Sequence, residues 1–377
     1  MIPLNSNLSA LKRSMIRTYT NLARQTPDCA MLTIGEPDLD TPEAIKAAAI
    51  AALEANQTHY APNQGTAELR QQIAAFESNR GNAVTPDQVL VTIGACQALF
   101  TALLGILNPG EEIIVPTPGF GLYEGIATVA GAKTVSLDVT KTGFQIDSAA
   151  LEALITPRTK AIVLNSPCNP TGVVFNEDSL ATVKRAILGK DIFLVCDNVY
   201  QGLCYADCPD LSKDPELQDQ VIVCQSFSKP WAMTGWRIGY LICPEYVMDR
   251  LMLLSAVTIT AVPTFLQDAA VTALATDTEQ MRQTYHSRRD YVCRRLEQMG
   301  LDFPKPEGAF YVFVDIQKFG MSSDAFCRRM IREAGVATVP GSCFGTEGYL
   351  RISYCYSDAE LEEGLNRMEQ FIRSFPL

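Results

Sequence analysis

The chain has 377 residues, 47% of them hydrophobic and 19% charged, which is enough apolar material for a large ordered core and too much for a disordered polymer. A formal net charge of −11 argues against a nucleic-acid partner, because gripping a phosphate backbone requires a surplus of Lys and Arg on some face. Only His59 and His286 are present, so histidine acid–base chemistry and histidine-rich metal sites have almost no material, and attention moves to lysine.

The start, MIPLNSNLSALKRSM, lacks a long apolar run followed by a small-residue cleavage site, and no stretch of about 18 uncharged apolar residues occurs anywhere. These features predict a cytoplasmic protein with no membrane partner. Residues 1–43 read as helix plus loop without a core of their own, expected to join a small domain. From residue 44 to 276 short β-branched runs alternate with helix-period segments, the pattern of an α/β domain with a mostly parallel sheet covered on both faces. Seven strands are expected: VLVTIG (89–94), EEIIVP (111–116), KTVSLDV (133–139), KAIVLNSP (160–167), DIFLVCD (191–197), VIVCQSF (221–227) and GYLICP (239–244). Most are apolar at consecutive positions, as strands buried on both faces are.

After residue 276 the texture changes to a charged amphipathic segment, TEQMRQTYHSRRDYVCRRLEQMG, with Gly300 as its expected helix stop. GAFYVFVDI and YLRISYCY then read as strands between helices. Residues 277–377, joined by 1–43, are therefore expected to form a smaller α+β domain. Twelve cysteines are scattered without a C-x-x-C pair, which argues against a zinc site, and Cys196, Cys224 and Cys243 lie inside apolar runs where a thiol acts as a small hydrophobe. That usage fits a reducing compartment.

Three predicted strands end in polar clusters: NSPCNPTG, DNVY and SFSK. In open α/β sheets the carboxyl ends of parallel strands face one crevice, so these clusters converge. Lys229 closes SFSK. It is either an ordinary loop lysine or, in an apolar pocket, an amine that loses its proton and forms an imine with an aldehyde such as pyridoxal 5′-phosphate. Released by a substrate amine, it would carry a proton between substrate Cα and the cofactor. Asp197 emerges from a buried strand and needs a partner to stay ionised; a protonated pyridine nitrogen serves, and a turn-capping role is the alternative. Tyr200 sits where its hydroxyl reaches a ring oxygen, or simply packs. In TIGACQALF a strand, Gly94 and a helix start present the N–H groups of Ala95 and Cys96 to a phosphate, with Ser226 and Arg237 as further donors. Arg351, inside an apolar strand, either grips a substrate carboxylate or forms an internal ion pair.

Together these segments resemble the class I aminotransferases of PLP fold type I, in the branch holding aromatic, aspartate and N-acetyl-diaminopimelate aminotransferases. The resemblance runs over nearly the whole chain: IGEPDLDTP, HYAPNQGTAELR, GACQALF, PTPGFGLYE, NSPCNPTG, CDNVYQGL, SFSKPWAMTGWRIGY, PEGAFYVF, VATVPGSCFG and LRISY, in family order. It implies that Lys229 holds pyridoxal 5′-phosphate covalently and that Asp197 pairs with its ring nitrogen. Tyr200 and Asn169 would hold the ring oxygen, and Ala95, Cys96, Ser226 and Arg237 the phosphate. Phe120 would stack on the ring, and Gly35, Asn169 and Arg351 would line the substrate end. Tyr60 matches a tyrosine that reaches the phosphate of a neighbouring subunit, so a homodimer with shared active sites is implied. Three positions depart from the family: Cys96 stands where nearby aspartate enzymes often carry lysine, Phe120 replaces a tryptophan, and Asn198 replaces an acidic residue. The expected activity is transfer of an amino group between an L-amino acid and a 2-oxo acid, with glutamate and 2-oxoglutarate as one pair and an aromatic or N-acylated diamino acid as the other. The alternatives are a PLP-dependent C–S β-lyase, against which GWRIGY argues, and a non-catalytic PLP- or amino-acid-sensing domain.

Overall fold

A computed structural model describes residues 2, 4–12 and 15–375. In chain order the strands are β1 (Ala30–Met31), β2 (Val89–Thr92), β3 (Glu112–Thr117), β4 (Lys133–Asp138), β5 (Thr159–Asn165), β6 (Phe193–Asp197), β7 (Val221–Ser226), β8 (Gly239–Ile242), β9 (Tyr311–Asp315), β10 (Val336–Ala337), β11 (Val339–Pro340) and β12 (Tyr349–Ser353). The seven runs expected between 89 and 244 are β2 to β8, and they form one sheet in the order β2-β8-β7-β6-β5-β3-β4. Its pairs are parallel except those made by β8, which runs antiparallel to both β7 and β2.

Consecutive apolar residues in these strands serve two faces. Val89, Val91, Ile114, Ile162, Leu164, Leu194 and Val223 join one buried cluster, while Leu90, Ile113, Val115, Val163, Val195 and Ile222 join another on the opposite side. Strand side chains alternate with period two, so a sheet covered on both faces has to be apolar at every position. β4 departs from this. Lying at the sheet edge, it leaves Lys133, Ser136 and Asp138 exposed and buries only Leu137.

A third cluster forms around the antiparallel sheet β11-β12-β9. It gathers Tyr311, Val312, Val314, Leu350 and Ile352 with Leu361, Leu365 and Met368 from the helix Asp358–Arg373. Met281, Tyr285, Val292 and Leu296 add one stripe of the helix Glu279–Gln298, whose chain turns at Gly300 with φ +69. Residues 1–43 contribute more than helix and loop: β1 pairs in parallel with β10, and Tyr19, Ala23 and Leu32 are buried in this same cluster.

Candidate active site

Asn165, Asp197 and Ser226 are the last residues of the adjacent strands β5, β6 and β7, so parallel pairing sets three polar side chains side by side. They line a cavity of about 250 Å³ together with Gly35, Ala95, Cys96, Phe120, Asn169, Tyr200, Lys229, Arg237, Tyr311 and Arg351. Apart from Tyr60, every site residue singled out in the sequence is on this wall. Tyr60 is 91% exposed and does not line the cavity of its own chain.

Lys229 follows β7 and is partly exposed on the cavity wall. Loss of hydration among these walls lowers the proton affinity of its amine below the ordinary lysine value. Nζ donates to the carbonyl of Gly35 at 2.5 Å. Gly35 itself has no room for a side chain, since a Cβ there would stand 1.8 Å from the hydroxyl oxygen of Tyr311. That hydroxyl meets the hydroxyl of Tyr200 at 2.8 Å.

Asp197 is 4% exposed, and burial pushes its carboxyl up to about 6, opposed by donation from Tyr123 and the backbone of Val199. Tyr123 Oη donates to Oδ2 at 2.6 Å, whereas Oδ1 has no protein partner. The backbone carbonyl of Asp197 accepts from Asn165 Nδ2 at 2.8 Å, and Asn165 Oδ1 in turn accepts the N–H of Asn169 at 2.8 Å, which ties the two strand ends together. Asn198 faces elsewhere: it is buried outside the cavity lining, with its amide directed at Ser212 Oγ.

The helix Gly94–Ile106 starts directly after β2, and Gly94 has φ +68, a left-handed conformation that favours glycine. A Cβ there would also collide with Arg237, 2.7 Å from its Nη2. Ala95 and Cys96 lie in the first turn, where N–H groups have no acceptor within the helix. Arg237 Nη1 donates to the carbonyl of Thr234 at 2.9 Å, and Ser226 Oγ accepts the N–H of Ser228 at 3.0 Å.

Arg351, expected to grip a substrate carboxylate or to form an internal ion pair, has uncharged protein partners. Nη1 donates to Asn169 Oδ1 at 2.8 Å, Nη2 donates to the carbonyl of Thr33, and the guanidinium lies 4.4 Å from the Tyr311 ring centroid. Only Nε is left without a partner. Tyr123 and Tyr311 were missed as individual residues. Both lie in segments quoted for the family likeness, PTPGFGLYE and PEGAFYVF, yet a tyrosine in an apolar run carries no local sign of its hydroxyl partner.

Pyridoxal 5′-phosphate fits these walls. An unpaired buried carboxylate oxygen complements a protonated ring nitrogen, a desolvated amine complements an aldehyde, and first-turn N–H groups beside a guanidinium complement a phosphate dianion. Comparison with known proteins points the same way. Residues 27–368 match the family model for aminotransferase class I and II. The chain is 40% identical over 376 residues to a probable N-acetyl-LL-diaminopimelate aminotransferase of Bacillus subtilis, covering 98% of this chain and 95% of that protein. It is 37% identical to an aspartate aminotransferase of Pyrococcus abyssi, with 98% of each covered. Among solved structures, the aspartate aminotransferase of Thermus thermophilus with maleate superposes with a TM-score of 0.93 at 36% identity, over 98% of this chain and 100% of that one. An aromatic aminotransferase from Pyrococcus horikoshii gives 0.89 at 37% identity, over 94% and 98%. With matching sequence, fold type I architecture and cavity chemistry, the chain belongs to the class I and II aminotransferases, PLP-dependent enzymes that move an amino group between an amino acid and a 2-oxo acid.

Proposed function

We propose that this enzyme takes the amino group of glutamate and delivers it to a 2-oxo acid with an aromatic or N-acylated side chain, using Lys229 as the covalent anchor and proton carrier. One observation carries the assignment of residues: an amine, a carboxylate with a free oxygen and a guanidinium with a free Nε converge on one cavity from three distant parts of the chain. When bound, the cofactor supplies an electron sink for the pair left behind when substrate Cα loses its proton. Lys229 Nζ, on the cavity wall, would be the base for that proton. Asp197 Oδ1 would face the ring nitrogen, and Tyr200 and Asn169 would hold the ring oxygen. Ser226, Arg237 and the N–H groups of Ala95 and Cys96 would hold the phosphate, with Phe120 against the ring. Arg351 and Asn169 receive the substrate α-carboxylate beside Gly35. Support for an uncharged substrate side chain comes from Ile16, Ile34, Leu99 and Leu122, apolar lining residues of the same cavity.

The large PLP-binding domain is assigned to residues 44–276, and the small domain to 1–43 with 277–377. A homodimer with shared sites is part of the same reading. Its support is Tyr60 at 91% exposure, with Val257 at 82% and Ile50 at 56%, a cost in water that a second copy would remove. Cytoplasmic location is supported by twelve cysteines that are all unbridged. Among the described residues no helix is long and apolar enough to cross a membrane.

The test uses purified enzyme with cofactor, ¹⁵N-glutamate and a panel of 2-oxo acids. Label is expected in the aromatic or N-acylated product, and borohydride is expected to fix the cofactor on Lys229 in a peptide map. Absence of label from every product, or a cofactor fixed on another lysine, refutes the reading.

A further inference from the structure

Tyr123 occupies the first turn of the helix Leu122–Ala130 and is 2% exposed, packed in the apolar cluster on one face of the large sheet. A buried phenol is stabilised by an acceptor, and this one takes a carboxylate oxygen of Asp197, 74 residues away in sequence. Phe120, three residues earlier, lines the cavity and meets the Tyr123 ring edge-on at 6.1 Å. One short segment therefore supplies both a wall of the cofactor space and a contact to the carboxylate that faces it. The titratable neighbours of Asp197 are Tyr123, Tyr200, Cys168, Cys196 and Cys224, each held in its neutral form by burial, and Cys96, an exposed residue whose thiol is shifted up by loss of hydration. Of these, Tyr123 is the one whose side chain donates to the carboxylate.

We propose that Tyr123 is a positioning residue whose hydroxyl holds Oδ2 of Asp197, keeping the carboxylate charged and presenting Oδ1 to the cofactor ring nitrogen. The proposal rests on the assignment of Asp197 to that nitrogen. Without the donor, burial acts on Asp197 unopposed by any side chain, and the carboxyl takes up a proton at higher pH. The neutral acid no longer complements a protonated ring.

Three holoenzymes test this: wild type, Tyr123→Phe and Tyr240→Phe. Tyr240 is a matched control, because it is equally buried and donates to the carboxylate of Glu77 at 2.5 Å, away from the cavity lining. The visible band of the bound cofactor is followed after dilution at pH 6 and pH 8. Tyr123→Phe is expected to lose cofactor about tenfold faster than wild type at pH 6, the size of one charge-assisted hydrogen bond, and to approach wild type at pH 8. Tyr240→Phe is expected to match wild type at both. Release from Tyr123→Phe at the wild-type rate throughout overturns the proposal, as does an equal acceleration at both pH values with a lowered melting temperature, which marks a space-filling role. A wild-type protein with no visible band would overturn the underlying cofactor assignment instead.

Discussion

Replacing Gly35 by alanine puts a methyl group in place of a hydrogen where there is no space for it. The new Cβ would lie 1.8 Å from Oη, 2.6 Å from Cζ and 2.8 Å from Cε1 of Tyr311. The ring cannot swing into solvent, being 2% exposed and stacked beneath the Arg351 guanidinium. Either it shifts and loses the 2.8 Å contact with the Tyr200 hydroxyl, or the Gly35 backbone retreats and loses its bond from Lys229. Overpacking costs about 1–3 kcal/mol and an abandoned buried hydrogen bond about 1–3 kcal/mol more. The holoenzyme should accordingly melt several degrees lower, and kcat/KM for glutamate should fall at least about tenfold, because both tyrosine and arginine border the substrate end. Gly125→Ala is the control. Inside a helix and with nothing nearer than 4.0 Å, it should melt slightly higher than wild type. Scanning calorimetry and steady-state rates measured on the same preparations decide the matter. A Gly35→Ala enzyme with wild-type melting and kcat/KM would show that the contact of Gly35 with Tyr311 is not maintained in solution, and the argument would fail.

Arg351→Lys keeps the charge but loses the planar fork that reaches both Asn169 and Thr33, so KM for glutamate should rise by about two orders of magnitude while kcat changes less; equal losses in both would contradict carboxylate binding. Asp197→Asn should abolish transamination and yet stabilise the cofactor-free protein at neutral pH. The folded carboxyl, near 6, lies above its ordinary value of 3.8, so between those values the folded state holds a proton that the unfolded chain has released. Stability therefore falls as pH rises through that window, and the cost is complete above about pH 6, where it amounts to about 3 kcal/mol. The melting difference between Asp197→Asn and wild type should grow from pH 5 to pH 8, and a constant difference would refute it. Val257→Arg places a charge at a side chain 82% exposed in the single chain; light scattering should report half the wild-type mass if this face joins two copies, and an unchanged mass places the interface elsewhere.

Local pattern carried the sheet and most of the cavity. Runs such as KAIVLNSP and DIFLVCD are apolar at consecutive positions through their middles, 161–164 and 192–196, because each strand is covered on both faces, and their polar carboxyl ends announce where the crevice opens. The stop at Gly300 was equally legible, since a left-handed residue after an amphipathic run is a property of a few neighbouring residues. What these signals do not encode is who meets whom. That β8 runs against its neighbours is decided by the sheet pairing, and that Tyr123 reaches Asp197, that Tyr311 leaves no room for a side chain at Gly35, and that Arg351 is shared between Asn169 and Thr33 depend on residues 74 to 318 positions apart. Asn198 illustrates the point from the other side: next to Asp197 in sequence, it turns to Ser212 because successive side chains leave the chain in different directions. Periodicity reports which side of an element is buried; the partner of a buried hydroxyl or guanidinium is chosen only when the elements pack.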